Sequence, residues 1–483
     1  MTRAALAAIS GELLGCDTMV ATPGATAHGQ MVLAKNSDRP TEECQPLVLR
    51  ERHEHPAGAT LRTQFLELPQ APVTYRHVGS RPHWCWGYEH GFNEHQVAIG
   101  NEALPSRLAP FDDPKLVGME LIRLGLERGR TAAGAVDVMT GLTERYGQGA
   151  FRNDPGVRTY DNSYMVADPH EAYVLETAGH DWAVKRVAPG AAMGISNTRS
   201  LFDQWDRVSP TAETNATTQG WWPASPTLSA GAGSDRRRLD FGAAFGPVAA
   251  PDGTPPRVVL RGLRSCAVLG RIRGAIDAAS MMAVLRDHAD GTEAGLPLQE
   301  EIPFGRGTPS ICMHYGEGPG GGVAGNTAAS LVADLCADGS RWAVYWCSFY
   351  SPCLGVFFPV FLEAELPAEL GIGGANASED SPWWLFRDVE RLVRADGTGE
   401  AVATVRGTWQ PLQAELLKTA YDVARQARAL QAAGNDAAGR ALASDYVART
   451  VQRVLATVRH LQGHLATRSA VRPPARVAVA AAG

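Results

Sequence analysis

The chain has 483 residues, 20% of them charged, and a formal net charge of −6 at pH 7. Such a length buries a large core and holds one to three domains at about 150 residues each. The mild acidity excludes the basic footprint of a nucleic-acid binder and the polybasic patch of a membrane-surface protein, leaving a small soluble substrate as the expected partner.

Arg3, the short apolar run 4–9 and Leu13-Leu14-Gly15-Cys16 look like a bacterial lipoprotein signal. The run falls short of the roughly 7 to 15 residues of a signal core, and Glu12 interrupts it. Residues 1–15 are therefore read as a short leader. Extended segments follow at 17–21 and 31–36, turning through 24–29, and again at 61–68 and 72–77. The stretch 83–102 reads as turn and strand, with its bend at 91–95 and its buried part at 97–100. Asp113-Pro114 is a helix start, with Val117, Leu121 and Leu124 at helical spacing, and a second helix spans 131–146.

From residue 163 the pattern is a meander: 163–167, 172–177 and 182–187, with turns at Asp168-Pro169 and Ala178-Gly179-His180. Residues 211–234 read as a long surface loop on which Trp221-Trp222 must still dock, and 277–288 as a helix. The uncharged run 342–362 is long enough to span a bilayer by count. Its prolines and its aromatic and β-branched content suit instead two buried strands joined at Ser351-Pro352, so no membrane partner is expected. Helices are expected over 383–394, 410–433 and 437–465, and disorder over 467–483.

Strand groups with short connections, alternating with helices, indicate an α+β architecture of antiparallel sheets segregated from helical layers. No internal repeat is evident. The expected division is a leader (1–15), a main domain (16–380), a helical region packed on it (381–466) and a tail (467–483). Apolar C-terminal helices suit a core and a homo-oligomer interface alike.

If the first two strands are antiparallel, Cys16 lies across from about Asp38 and Thr18 from Asn36, with facing Cβ atoms about 4.5 to 5.5 Å apart. A slip of one residue reverses the faces. Lys35 and Arg39 also reach the cysteine, and a thiol beside cations is expected to ionise more readily. Were the chain cut before Cys16, its α-amine, with an ordinary pKa of about 7.7 to 8.0, becomes a general base, and Asp38 orients it.

Cys16-Asp17-Thr18, followed about twenty residues later by Lys35-Asn36-Ser37-Asp38-Arg39-Pro40, resembles the secernin and C69 dipeptidase family of N-terminal-nucleophile (Ntn) hydrolases, related to choloylglycine hydrolase and penicillin V acylase. Gly91-Phe92-Asn93-Glu94, Ala98-Ile99-Gly100-Asn101-Glu102 and Gly194-Ile195-Ser196-Asn197-Thr198 extend the resemblance, as do Ser310-Ile311-Cys312-Met313-His314 and Ser351-Pro352-Cys353. It covers roughly residues 16–395. The resemblance implies an Ntn-hydrolase αββα sandwich with an appended C-terminal helical region, and a cysteine-type dipeptidase acting on small peptides; the cysteine usage adds a cytoplasmic setting, and no cofactor or metal is expected.

By the same resemblance Cys16 is the nucleophile, Asp38 holds its amine, and Lys35 takes the place of an arginine in the acylase branch. Asn101 and Asn197 match oxyanion-hole asparagines. A late arginine is also implied, with Arg236, Arg237 and Arg238 as candidates and Arg238 chosen. Lysine for arginine at position 35 removes bidentate substrate recognition.

Plainer readings stand beside these. Cys16 can be a small buried hydrophobe, and Asn36, Asp38 and Arg39 a solvated strand end. His83, His90 and His95 beside Cys85, and the pair His53 and His55, match no zinc spacing, while eight cysteines without a CxxC pair suit a reducing compartment. Cys312 and His314 share a strand face and read as packing. An amidase or acylase on non-peptide amides, and a secernin-like interaction protein without catalysis, are the rival functions.

Overall fold

A computed structural model describes residues 15–471 except 106, 109–112, 150, 154–155, 159–160, 224–237, 248–256, 289–309, 315–324 and 397–398. In chain order the strands of its two main sheets are β1 (Asp17–Ala21), β2 (Val32–Pro40), β3 (Leu47–Arg50), β4 (His77–Ser80), β5 (His90–Asn93), β6 (Ala98–Leu104) and β7 (Asp161–Ala167). They continue as β8 (Ala172–Ala178), β9 (Asp181–Arg186), β10 (Ala192–Ile195), β11 (Arg207–Val208), β12 (Gly325–Asp334), β13 (Val344–Phe349) and β14 (Phe358–Val360). One sheet has the order β10-β1-β2-β12-β13-β14, the other β11-β9-β8-β7-β6-β5-β4-β3. Neighbouring strands pair antiparallel throughout both.

Side-chain alternation sorts the second sheet between two layers. Met165, Val174 and Ala183 face the first sheet, while Tyr164, Val166, Leu175 and Val184 face helices α1 (Gly118–Arg128) and α2 (Ala132–Tyr146). Between the sheets, Phe92 of β5 stacks on Tyr345 of β13 with ring centroids 3.6 Å apart. Beyond α3 (Ala212–Thr218) and α4 (Phe241–Phe245), helix α5 (Arg257–Arg271) lies on β10 and β1. Helix α6 (Ala278–Leu285) lies on β2 and β12. The C-terminal helices α7 (Pro382–Asp396), α8 (Glu400–Ala432) and α9 (Asp436–Val471) rest on β13 and β14. The result is the expected α+β sandwich of two antiparallel sheets between helical layers, with one continuous apolar cluster running from Met19 to Leu465.

Several elements differ from the sequence expectation for local reasons. Residues 61–68 are two short strands, Thr60–Arg62 and Glu67–Pro69, because Thr63 closes a turn on Leu66 through both its backbone (2.8 Å) and its hydroxyl (3.3 Å). Helix α1 begins at Gly118 rather than at Asp113-Pro114. Leu116 is drawn into a backbone bond with Gly147 O, 3.1 Å, and the Glu120 carboxylate caps Val117 N at 2.8 Å. The expected loop 211–234 contains α3, fastened by Asp181, whose carboxylate accepts from Ser209, Thr211 and Asn215. Trp222 docks in the core, and 224–234 lies outside the described residues, as do 1–14 of the leader and 472–483 of the tail. The run 342–362 forms β13 and β14, and among the described residues no helix is long and apolar enough to cross a membrane.

Candidate active site

Register places the cysteine. On one side β1 pairs with β2 as Asp17↔Asn36 and Thr18↔Lys35, one residue off the expected Thr18↔Asn36. On the other it pairs with β10 as Thr18↔Ile195, which carries Cys16 to the level of Asn197. The shift leaves Cys16 in contact with Asp38 through the backbone, since Asp38 N donates to Cys16 Sγ at 3.3 Å. Asn197 Oδ1 accepts from Cys16 N at 2.6 Å, and Ser196 Oγ donates to Cys16 O at 3.3 Å.

Behind the sulfur lies a charge cluster that the sequence only partly announced. Asp38 accepts from Thr327 Oγ1 at 2.6 Å, and Arg261 Nη1 sits 3.2 Å from both Asp38 Oδ2 and Asp17 Oδ2. Arg261 Nη2 donates to Asn197 Oδ1 at 2.5 Å. One guanidinium thus ties both carboxylates to the asparagine that holds the Cys16 nitrogen. Burial pushes the Asp38 carboxyl up to about 7 and that of Asp17 to about 6, against the pull of Arg261. Gly15 lies flat against the same guanidinium, and a Cβ there falls 1.7 Å from Arg261 Nη1. Only glycine fits.

Lys35 points between the sheets. It donates to the backbone carbonyls of Asn101 and Asn36 and lies 3.8 Å from Glu102 Oε1, which in turn accepts from Thr18 Oγ1. Gly100 makes room for it, because a Cβ at that position falls 2.5 Å from Lys35 Cδ. Burial alone disfavours the ammonium, but Cys16, Glu102, Glu89 and Asp38 outweigh it and raise the Lys35 pKa. Contrary to the expectation from sequence, Lys35 does not turn Cys16 into a thiolate. Burial dominates and pushes the thiol up to about 12, with Glu89 and Asp38 adding to the rise. The cation stays with its carboxylates, and the covered sulfur stays protonated.

The Asn101 side-chain amide is held 2.8 Å from Asn162 Oδ1 on one side and 3.0 to 3.1 Å from the Glu89 carbonyl and carboxylate on the other. Asn197 turns its oxygen, not its nitrogen, toward Cys16, and its Nδ2 donates to Ala103 O at 2.8 Å. In this state neither amide is aimed at an oxyanion beside the sulfur. Arg238 is not in the cluster: it is exposed, stacks 3.9 Å over the Trp205 ring and bonds the Trp205 carbonyl. Arg236 and Arg237 lie outside the described residues. The arginine that the structure places in the cluster is Arg261. Its signal was present in α5, where Arg261, Arg264, Ser265 and Leu269 share a buried stripe at helical spacing. Arginine on a core-facing stripe demands buried acids. Thr18 and Glu102 were inside quoted motifs but carried no assigned role.

A strand-initial thiol, its nitrogen and sulfur gripped from the two flanking strands, thus sits in a sandwich of two antiparallel sheets between helices. Residues 15–219 match the model for Peptidase family C69, starting one residue before Cys16. Solved structures with likeness to this chain include a mutant conjugated bile acid hydrolase from Clostridium perfringens, 12% identical with a TM-score of 0.38 over 70% of this chain and 89% of that one. The Caenorhabditis elegans ortholog of N-acylethanolamine-hydrolyzing acid amidase is 14% identical, with a TM-score of 0.24 over 38% and 71%. Such identities say nothing of this chain's substrate.

Proposed function

We propose that the protein is a cysteine-type dipeptidase or small-peptide hydrolase in which Cys16 becomes the first residue once residues 1–15 are removed. The observation that supports this most directly is the grip on the Cys16 nitrogen, with Asn197 Oδ1 at 2.6 Å and the Arg261–Asp17–Asp38 cluster directly behind it. Any buried backbone N–H needs an acceptor, but one tied to a buried ion-pair network goes beyond what a packing cysteine requires. Once free, that nitrogen is an amine. It takes the Cys16 Sγ proton as the sulfur attacks the substrate carbonyl, and passes it to the departing amine as the tetrahedral intermediate collapses to a thioester. Water, deprotonated by the same amine, then releases the acid and restores the thiol.

In this reading Asn197 holds the amine, and Asp38 with Arg261 fixes the local charge. The oxyanion falls to the amides of Asn101 and Asn197 once they turn from Asn162 and Ala103. Preorganised donors of this kind contribute about 10² to 10³ in rate. Lys35 lines the interior with Glu102. The eight free thiols support a cytoplasmic setting. Hydrolysis of a dipeptide panel beside acyl-amides, by the native protein and a Cys16→Ala variant, tests the proposal. Dipeptide turnover lost in the variant supports it; preference for acyl-amides favours an acylase. Undiminished turnover by the variant overturns it.

A further inference from the structure

We propose that His288, Cys312, His314 and Cys353 form a closed tetrahedral site for a zinc-class divalent cation, separate from Cys16. The four side chains are buried, and one ligand atom from each lies within 4.8 Å of all the others. His314 Nε2 stands 3.3 Å from Cys312 Sγ and 3.2 Å from Cys353 Sγ, and the rings of His288 and His314 stack with centroids 5.4 Å apart. Ligands at about 2.3 Å for sulfur and 2.0 to 2.1 Å for nitrogen around one tetrahedral centre stand roughly 3.3 to 3.8 Å from one another. The two nitrogen–sulfur distances at His314, 3.3 and 3.2 Å, are close to this spacing, and the other pairs lie within 4.8 Å.

Two thiolates and two neutral imidazoles are the donor set that selects zinc over calcium or magnesium, and the thiolates cancel the ion's charge inside a low-dielectric interior. Binding releases two protons from the four ligands, so the exchange is charge-neutral. One imidazole nitrogen, His314 Nε2, faces two sulfurs at once, while His288 Nε2 is buried without a hydrogen bond. The surroundings follow the outer-shell pattern of metal sites, in which a carboxylate orients a ligating histidine. Glu390 Oε1 lies 3.8 Å from His314 Nδ1, and Glu390 is itself fixed by Arg394. A cavity of about 510 Å³, bordered by Arg286, Arg406 and Gln413, reaches His288 and Cys353 and gives an entry path.

The ligands come from three separate parts of the chain: just past α6, the segment that bridges to β12 at Asn326, and the short turn after β13. No linear zinc spacing exists to be read, which is why Cys312 and His314 looked like packing. An ion here ties these segments together beneath β2, the strand that carries Asp38. Met313 N donates to Thr327 Oγ1, which donates to Asp38 Oδ1, and Asn36 Nδ2 donates to the carbonyls of Leu285 and Ile311. The ion is thus a positioning element for Asp38, two hydrogen bonds away, not a reactant.

Elemental analysis of the full-length protein, purified without chelator and equilibrated with zinc, tests the site directly. About one zinc per chain is expected, lost in Cys353→Ser and in His288→Ala and retained in Cys266→Ser, whose cysteine is exposed and lies against Gly194 of β10. Because the ligand variants can fail to fold, the unmodified protein is also stripped and loaded with cobalt. Tetrahedral visible bands together with thiolate-to-cobalt charge transfer support the site. A pale octahedral spectrum, zinc content unchanged in both ligand variants, absence of zinc after equilibration, or a Cys312–Cys353 disulfide found by peptide mapping each overturns it.

Discussion

Replacing Arg261 with methionine keeps most of its apolar stem and removes the only cation that contacts Asp17, Asp38 and Asn197 together among the contacts described. Removing one partner of a buried ion pair costs about 3 to 5 kcal/mol, because a desolvated charge is left behind. The loss must depend on pH. Asp17 and Asp38 already hold protons more tightly in the folded chain, up to about 6 and about 7, than the reference value of about 4 for a free aspartate. Without Arg261 both rise further. A carboxyl whose folded value is raised takes up protons on folding, so its contribution to stability falls as pH climbs from the unfolded value through the folded one. Arg261→Met is therefore expected to be mild at pH 5, where both carboxyls are largely protonated in the fold, and severe at pH 8. Urea unfolding of the native protein, Arg261→Met and Arg261→Met/Asp17→Asn at the two pH values gives the comparison. A pH-dependent excess of about 2 kcal/mol or more, partly recovered by Asp17→Asn, is expected. A loss equal at both pH values, or below about 1 kcal/mol, refutes the cluster as drawn.

Gly15→Val places side-chain atoms where the Arg261 guanidinium lies and is expected to slow loss of the leader; processing at the native rate, followed by mass, contradicts the close approach. Arg238→Ala removes only a surface contact with Trp205 and is expected to change stability by about 0.5 kcal/mol or less, with turnover kept. A drop of about tenfold or more in kcat/KM sends the late-arginine role back to residue 238. Trp383 is fully buried and its indole donates to Ala328 O at 2.8 Å, so Trp383→Ala is expected to cost about 3 to 5 kcal/mol in denaturant unfolding. A loss under about 1 kcal/mol indicates that α7 is not anchored through it.

The layers were legible because alternation and helical spacing are local. The meander of β7 to β9 and the two strands within 342–362 follow from them, as do the three C-terminal helices. Distance in sequence hid the rest. The pairing of β1 with β10 brings Asn197 level with Cys16 across 181 residues, and no local pattern encodes that beyond the asparagine motif itself. Proximity of Lys35 to Cys16 was readable, but its effect was not. Burial, which sets the thiol's state, is a property of the whole sandwich. Arg261 was hidden for a different reason: three consecutive arginines at 236–238 drew attention by composition, whereas the buried stripe of α5 needed its helix phase to be noticed.

The intact mass of protein that is turning over a dipeptide tests the central claim most directly. The account predicts a chain beginning at Cys16, with a transient gain equal to the acyl part of the substrate when the reaction is quenched. Sustained hydrolysis by a chain that still carries the residues before Cys16 contradicts it.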